Sequence, residues 1–459
     1  MKRNKIIIII STIALGVIFG GAYWYLSMKD VLPTPAEMFP GEAGRAPAQT
    51  GEKVPPEEEL QAPEKSAPLT RLYELHKKPV AGAGFAEAGS GLYRTVAARY
   101  IERGLGHIYE TQLSTYAESR IVNETRSRIA EALWGNNGKG VVVRFTDDKT
   151  GGTIKTRILN IDTPTVSFAR STSTESMPGA FLRTEEIFLP DYIPFMATAE
   201  DGADKLFYLE NGAEASTGSV ATFKDADVSA IFNSSFTEWL PQFPNQKIIT
   251  LTTKPSTMVP GYLYFIDIKT KALIKILADI NGLTTLTSHD SRFVLYSETK
   301  GKAPMLSIYN TDTKETRSLN LETLPEKCAW GRQNPSVVYC AVPRNLPPGD
   351  YPDQWYQGVI AFSDDLWEIN ALTLGTKKIM SPSDLGAPFL DIINPILSSD
   401  DAYLLFMNKL SGTPWLYRIS EKEPRTPLSV PVVVSTTTAT TTRSVVPASA
   451  ITSDMRKLK

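Results

Sequence analysis

Hydrophobic and polar positions change rhythm three times along the chain. Residues Ile6 to Leu26, IIIIISTIALGVIFGGAYWYL, are uncharged and mostly apolar, and at ~1.5 Å per residue such a run matches the ~30 Å hydrocarbon core of a bilayer. From residue 28 to about 70 the periodicity disappears. From about 85 to 434 short stretches of alternating apolar and polar residues, rich in β-branched and aromatic side chains, recur between turns, which is the pattern of half-buried strands. Beyond Ser435 the chain is Ser/Thr-rich and polar. The pattern therefore divides the chain into a cytoplasmic stub and transmembrane helix (1–27), a linker (28–70), an all-β body (71–434) and a tail (435–459).

Lys2, Arg3 and Lys5 precede the apolar run and only Lys29 closely follows it, so the positive-inside rule puts the N-terminus in the cytoplasm and everything after Leu26 outside. The run is longer than the ~7–15 residues of a signal-peptide core, and bulky Tyr23, Trp24 and Tyr25 stand where a cleavage site would need small residues. A single-pass anchor in the plasma (inner) membrane is expected. Pro33, Pro35, Pro40, Pro47, Pro55, Pro56, Pro63 and Pro68 then mark an extended, solvated tether. The tract STTTATTTRS (435–444) holds nothing that packs.

Within the body, six segments share one design, a turn rich in Asn, Asp, Gly or Pro that introduces a strand: WGNNGKGVVVRF from Trp134, TAEDGADKLFYL from Thr198, WLPQFPNQKIITL from Trp239, LTSHDSRFVLY from Leu286, WGRQNPSVVYC from Trp330 and LSSDDAYLLF from Leu397. A further strand, such as YLYFIDIKT (262–270) or MLSIYNTDT (305–313), follows most of them. Each unit reads as a four-stranded meander. One meander cannot bury both of its faces, whereas stacking several around an axis does. With strands AARYIER and GHIYETQL near residues 97–113 forming a unit without its own leading turn, the expected fold is a β-propeller of seven blades. Six or eight also fit, and no segment declares itself as the strand that closes the ring.

The turn-plus-strand copies resemble the W-S-P-D-G-x-x-L-x-F repeat of TolB-like and related WD-type propellers. The best copy is Leu397-Ser398-Ser399-Asp400-Asp401-Ala402-Tyr403-Leu404-Leu405-Phe406, with Asp401 where glycine is usual. The resemblance implies a fold. It implies no function, because such propellers serve as scaffolds, enzymes and transport accessories alike.

Composition and chemistry narrow the function classes. The 459 residues carry 48 basic and 50 acidic side chains, a net charge of −2, which supplies no field for nucleic acid. There is no G-x-S-x-G, H-E-x-x-H, P-loop or C-x-x-C, and the only histidines are His76, His107 and His289. Each histidine reads as a surface or turn residue, and the adjacent pairs Asp147-Asp148, Asp364-Asp365 and Asp400-Asp401 read as turn or solvated residues. No catalytic residue, metal site or cofactor is expected. Cys328 and Cys340 flank the turn Gly331–Pro335. They are positioned either for a cross-strand disulfide, which an extracytoplasmic compartment permits, or as two buried thiols.

Loop length is the remaining signal. In a meander the second hairpin and the blade-to-blade connection lie at one end. Pro343–Gly358 and Thr253–Gly261 are read as second hairpins and Ala169–Glu186 as a blade connection, which places all three on one face. Loops on a rigid scaffold are where binding concentrates, and Tyr351, Asp353, Trp355, Tyr356, Met258 and Phe181 are the candidate contacts, mostly aromatic or soft. The expected function is a non-enzymatic binding or scaffold module of the cell envelope, with an envelope protein or polymer as partner. The alternative is a propeller hydrolase or lyase acting on glycan or lactone through carboxylates in its channel.

Overall fold

The computed structural model describes residues 70–420, apart from 90–93, 148–151, 162–180 and 226. The expected anchor at 6–26, nearly all of the tether and the tail lie outside the described residues. Within them no helix is long and apolar enough to cross a membrane.

The described chain forms seven four-stranded antiparallel sheets. Blade 1 comprises β2 (Val80–Ala88), β3 (Thr95–Glu102), β4 (Ile108–Gln112) and β5 (Glu118–Val122). Blade 2 comprises β6 (Ile129–Gly135), β7 (Gly140–Asp147), β8 (Thr153–Ile161) and β9 (Thr184–Phe188). Blade 3 comprises β10 (Phe195–Thr198), β11 (Leu206–Asn211), β12 (Ser216–Ala221) and β13 (Ser229–Ser234). Blade 4 comprises β14 (Trp239–Asn245), β15 (Ile248–Thr253), β16 (Pro260–Asp267) and β17 (Leu273–Asn281). Blade 5 comprises β18 (Thr284–Thr287), β19 (Phe293–Lys300), β20 (Ala303–Asn310) and β21 (Thr316–Glu322). Blade 6 comprises β22 (Cys328–Trp330), β23 (Val337–Pro343), β24 (Asp364–Asn370) and β25 (Thr376–Met380). Blade 7 has β26 (Ile392–Leu397), β27 (Tyr403–Asn408) and β28 (Pro414–Arg418), and its outermost strand is β1 (Leu72–Glu74), contributed by the start of the body.

That last pairing is the closure the sequence left unassigned. All six turn motifs fall between the first and second strands of blades 2 to 7, as the repeat pattern required.

Alternating side chains on each strand point to the two neighbouring blades, and the core is accordingly seven separate apolar layers. Ile101, Ile129 and Val141 fill the gap between blades 1 and 2; Val142, Tyr208 and Phe223 that between 2 and 3; Phe207, Trp239 and Leu251 that between 3 and 4. Leu263 and Val294 join blades 4 and 5, Leu295 and Trp330 join 5 and 6, and Leu366 and Phe406 join 6 and 7. Tyr100, Val80 and Leu405 join 7 back to 1, so the ring closes. On the inner strand β2, Gly82 and Gly84 permit a close approach to β6: a Cβ at Gly82 would lie 1.9 Å from the Ala132 carbonyl oxygen.

The turns repeat at atomic level. In blade 7 the Ser398 hydroxyl donates to Asp400 Oδ1 (2.6 Å) and accepts the Tyr403 N–H (3.0 Å), and Asp401 follows at φ 56°. In blade 5 Ser288 does the same with Asp290 (2.7 Å) and the Phe293 N–H (3.0 Å), with Ser291 at φ 60°. The third hairpins of blades 1, 4, 5 and 6 share another turn, in which the N–H of Tyr116, Lys271, Lys314 or Leu374 donates to the carbonyl four residues earlier and the donor residue is left-handed. This is a short hairpin loop with one αL residue, which matches the twist of the strands.

First and third hairpins lie on one face, called here the turn face; second hairpins and blade connections lie on the other, the insert face. Because β1 runs antiparallel to β28 and the Arg418 N–H donates to the Arg71 carbonyl (2.8 Å), the described chain enters and leaves at the rim of blade 7 on the turn face.

Candidate functional site

The longest described insert, between β23 and β24, folds over the insert face and includes one helical turn, α1 (Asp353–Tyr356). Its apolar residues make a small core of their own: Tyr351, Trp355, Ile360 and Phe362 pack with Leu324. From blade 6 the insert crosses blade 5 to grip blade 4. The Tyr351 carbonyl accepts the hydroxyls of Thr299 (2.7 Å) and Thr257 (2.9 Å), and Asp353 Oδ2 accepts both the N–H (2.8 Å) and hydroxyl (2.6 Å) of Thr257. Burial works against ionising Asp353, but the hydrogen bonds from Thr257 outweigh it and hold the carboxyl below its ordinary value.

Beneath the insert lies a charge cluster that nothing in the sequence announced. The fully buried Lys327 ammonium contacts Asp391 Oδ1 (2.6 Å), Asp364 Oδ2 (2.8 Å) and the Ile392 carbonyl (2.8 Å). It also lies 5.3 and 5.0 Å from the ring centres of Trp355 and Phe362. Asp391 Oδ2 accepts the Trp355 indole N–H (3.2 Å) and the Phe362 N–H (3.0 Å). Lys409 from the second hairpin of blade 7 adds a bond to the Trp355 carbonyl. Burial pushes Asp364 up to about 6, against the pull of Lys327, and its Oδ1 has no hydrogen-bond partner. The pair Asp364-Asp365 is thus neither solvated nor a turn cap, because adjacent strand residues face opposite ways: Asp364 is in this cluster, while Asp365 binds Arg344 (2.7 Å) and Ser381 (2.6 Å).

The six candidate contacts part company. Met258, in the second hairpin of blade 4, is 85% exposed, and Tyr356 is partly exposed with its hydroxyl on Glu326. Tyr351 and Trp355 are interior, because the insert buries them to hold its own shape. Asp353 is the clasp between inserts. Phe181 belongs elsewhere: it precedes β9 (Thr184–Phe188) and follows β8, so the stretch read as a blade connection is the third hairpin of blade 2, which starts from the turn face, and its last residues, Thr184–Glu186, are already in β9. Phe181 rests on the Arg120 guanidinium of β5, 5.1 Å from ring centre to Cζ. Strand counting failed there because the loop's polar Ser/Thr run resembles a boundary between blades.

Exposed large apolar side chains concentrate on the insert face. Met258 and Val259 (59% exposed), Tyr356 and Val359 (69%), and Phe389 (73%) run from blade 4 across the insert to the connection between blades 6 and 7. Val259 also lines a groove of about 470 Å³ with Phe236, Trp239, Tyr262 and Tyr264. Trp239 is fixed there by edge-on contacts with Phe232, Phe236 and Tyr264.

The central channel holds a second cavity, of about 290 Å³, lined by inner strands and by Glu87, Glu131, Glu200, His289 and Arg332. His289, expected to be a plain turn residue, points Nδ1 at Glu200 (3.4 Å) and Nε2 at the Trp330 carbonyl (3.3 Å). Burial raises the Glu200 carboxyl although His289 and Arg332 pull the other way. His289 does lie in the first-hairpin turn of blade 5 and His107 in the second-hairpin loop of blade 1, although His107 is buried; His76 is partly buried, bound to Glu118 (2.7 Å) beside the rings of Tyr100 and Tyr109. Cys328 and Cys340 face each other across β22 and β23 and are joined as a disulfide. Among the described residues no three His, Cys, Asp or Glu side chains gather as a metal site.

No known protein family matches the sequence, and no curated protein does. Solved structures match at fold level. Oligogalacturonate lyase from Vibrio parahaemolyticus is 10% identical, with 77% of this chain and 94% of that one covered and a TM-score of 0.49. The propeller domain of Cps50 (Swd1) from Myceliophteria thermophila is 8% identical over 76% and 100%, at 0.45. TolB from Acinetobacter baumannii is 9% identical over 74% and 80%, at 0.38. The seven sheets and their seven interfaces make the chain a seven-bladed β-propeller, with TolB and WD-type propellers among the folds it resembles.

Proposed function

We propose that this chain is a membrane-anchored, extracytoplasmic β-propeller that works as a non-enzymatic binding module of the cell envelope, with the insert face as its docking surface and another envelope protein as its partner. One observation carries the reading: the exposed apolar belt of Met258, Val259, Val359 and Phe389 lies on loops braced from beneath, on the face opposite the chain ends. A pre-organised apolar centre with a mixed-charge rim is how protein interfaces are built. The anchor rests on the charge and length of residues 1–27.

Photo-crosslinking amino acids at Met258 and Val359, and at Lys314 on the turn face as control, test the surface in native membranes. Discrete adducts from the first two positions alone are expected; equal labelling from all three overturns the reading. Removal of residues 6–26 is expected to shift the protein from the membrane to the soluble fraction. The alternative, glycan or lactone chemistry, has one observation in its favour, the meeting of Glu200, His289 and Arg332 at one cavity. It requires turnover that Glu200→Gln abolishes.

A further inference from the structure

We propose that the channel cavity binds a carboxylate group from outside the propeller, and that Arg332 holds it. This concerns a different site from the docking surface and stands independently of it. The charges lining the cavity are in direct contact with a partner, with one exception. Glu87 is taken by Arg94 (2.9 Å) and by the Ser399 N–H (2.8 Å), and Glu131 by Arg144. Glu200 faces His289. The Arg332 backbone is fixed, its N–H donating to Asp401 Oδ1 (2.7 Å), while Asp401 Oδ2 takes the next N–H, that of Gln333 (2.9 Å). Its guanidinium, half-buried at the cavity wall, makes no direct hydrogen bond or ion pair among the described residues; Glu200, on which it exerts a charge attraction without contact, is an acidic neighbour across the cavity.

A guanidinium carries five N–H donors in a planar fork and no acceptor. Left without acceptors in a partly desolvated site its donors are costly, and the ligand that meets the fork best is a planar anion with two oxygens. A carboxylate fits this description. Its single charge also suits a cavity that already holds Glu200, where a doubly charged phosphate would face stronger repulsion. The cavity, about 290 Å³, is the size of a short chain end or a small molecule. Gly135, Gly138 and Gly202 line it, and a Cβ on any of them would strike a neighbour, so the wall is closely packed there. Two sources supply this chemistry: the C-terminal carboxylate of a peptide and a free organic acid.

Saturation-transfer NMR on the full chain tests the proposal with three probes: a pool of N-acetylated tripeptides Ac-Gly-X-Ala as free acids, the same pool as C-terminal amides, and a mixture of succinate, lactate and gluconate. Transfer to the free-acid peptides but not the amides supports a chain terminus as ligand; transfer to the small acids alone supports a free acid. In either case Arg332→Gln is expected to weaken binding about tenfold or more, the loss typical of a charged hydrogen-bonding group, with melting temperature unchanged. Transfer to acids and amides alike, transfer to neither acid probe, or full binding by Arg332→Gln overturns it. Should Arg332→Gln fail to fold, Arg332→Lys carries the same reading: it keeps the charge, lacks the fork, and is expected to bind about tenfold more weakly.

Discussion

At the scale of single residues, two kinds of position govern behaviour, left-handed turn residues and buried charges. Lys314 is exposed and held at φ 62° in the third hairpin of blade 5. A side chain costs roughly 1–2 kcal/mol there and glycine does not, so after glycine's greater loss of backbone freedom is counted, Lys314→Gly is expected to stabilise the fold by about 0.5–1 kcal/mol in urea unfolding. Asp364 gives a pH signature. Its carboxyl, at about 6 in the folded state against 3.8 ordinarily, binds a proton more tightly folded than unfolded. Stability from this group is therefore fully present below the unfolded value and lost as pH rises through about 6. The depressed carboxyls of Asp353 and Asp365 act oppositely, and only on further acidification. Melting curves between pH 4.5 and 7 are expected to fall less steeply for Asp364→Asn than for the parent.

At the scale of elements, strand identity was legible and loop function only in part. The turn motifs marked first hairpins because Ser, Asp and Asn side chains close those turns by bonding their own backbone, which leaves a local trace in the sequence. The end of the strand YLYFIDIKT closes its third hairpin in the same way, Asp267 Oδ1 accepting the N–H and hydroxyl of Thr270. Nothing local marks Lys327: its partners arrive from residues 364, 391 and 392, and a lysine before a strand reads as solvated until the fold encloses it. The aromatic insert was visible, but whether its rings face a partner or their own core depends on Asp391 and Leu324, which sequence spacing does not bring near. Trp355 joins that core to the charge cluster. Trp355→Ala is expected to leave the seven blades folded by circular dichroism while speeding limited proteolysis within 343–363 severalfold, since removing a buried tryptophan costs about 3–5 kcal/mol and the loss falls on a local unit.

At the scale of the whole molecule, seven interfaces make the ring and one short pairing locks it. The closing strand was not legible because Leu72–Glu74 is only three residues long and carries no turn of its own. Its assignment depends on partners more than three hundred residues away, such as the Arg71 guanidinium on the Tyr417 hydroxyl (2.8 Å). Deleting residues 70–74 uncovers β28 as an edge and strips Leu72 from the layer between blades 6 and 7; the expected results are a lower melting temperature and concentration-dependent association by light scattering. The same closure sets how the molecule answers a mechanical load. β1 and β28 are antiparallel, and their free ends emerge side by side. Tension applied at both ends peels the pair one hydrogen bond at a time instead of shearing the bonds together, so stretching strips β1 from blade 7 and opens the ring at this seam before the other blades yield.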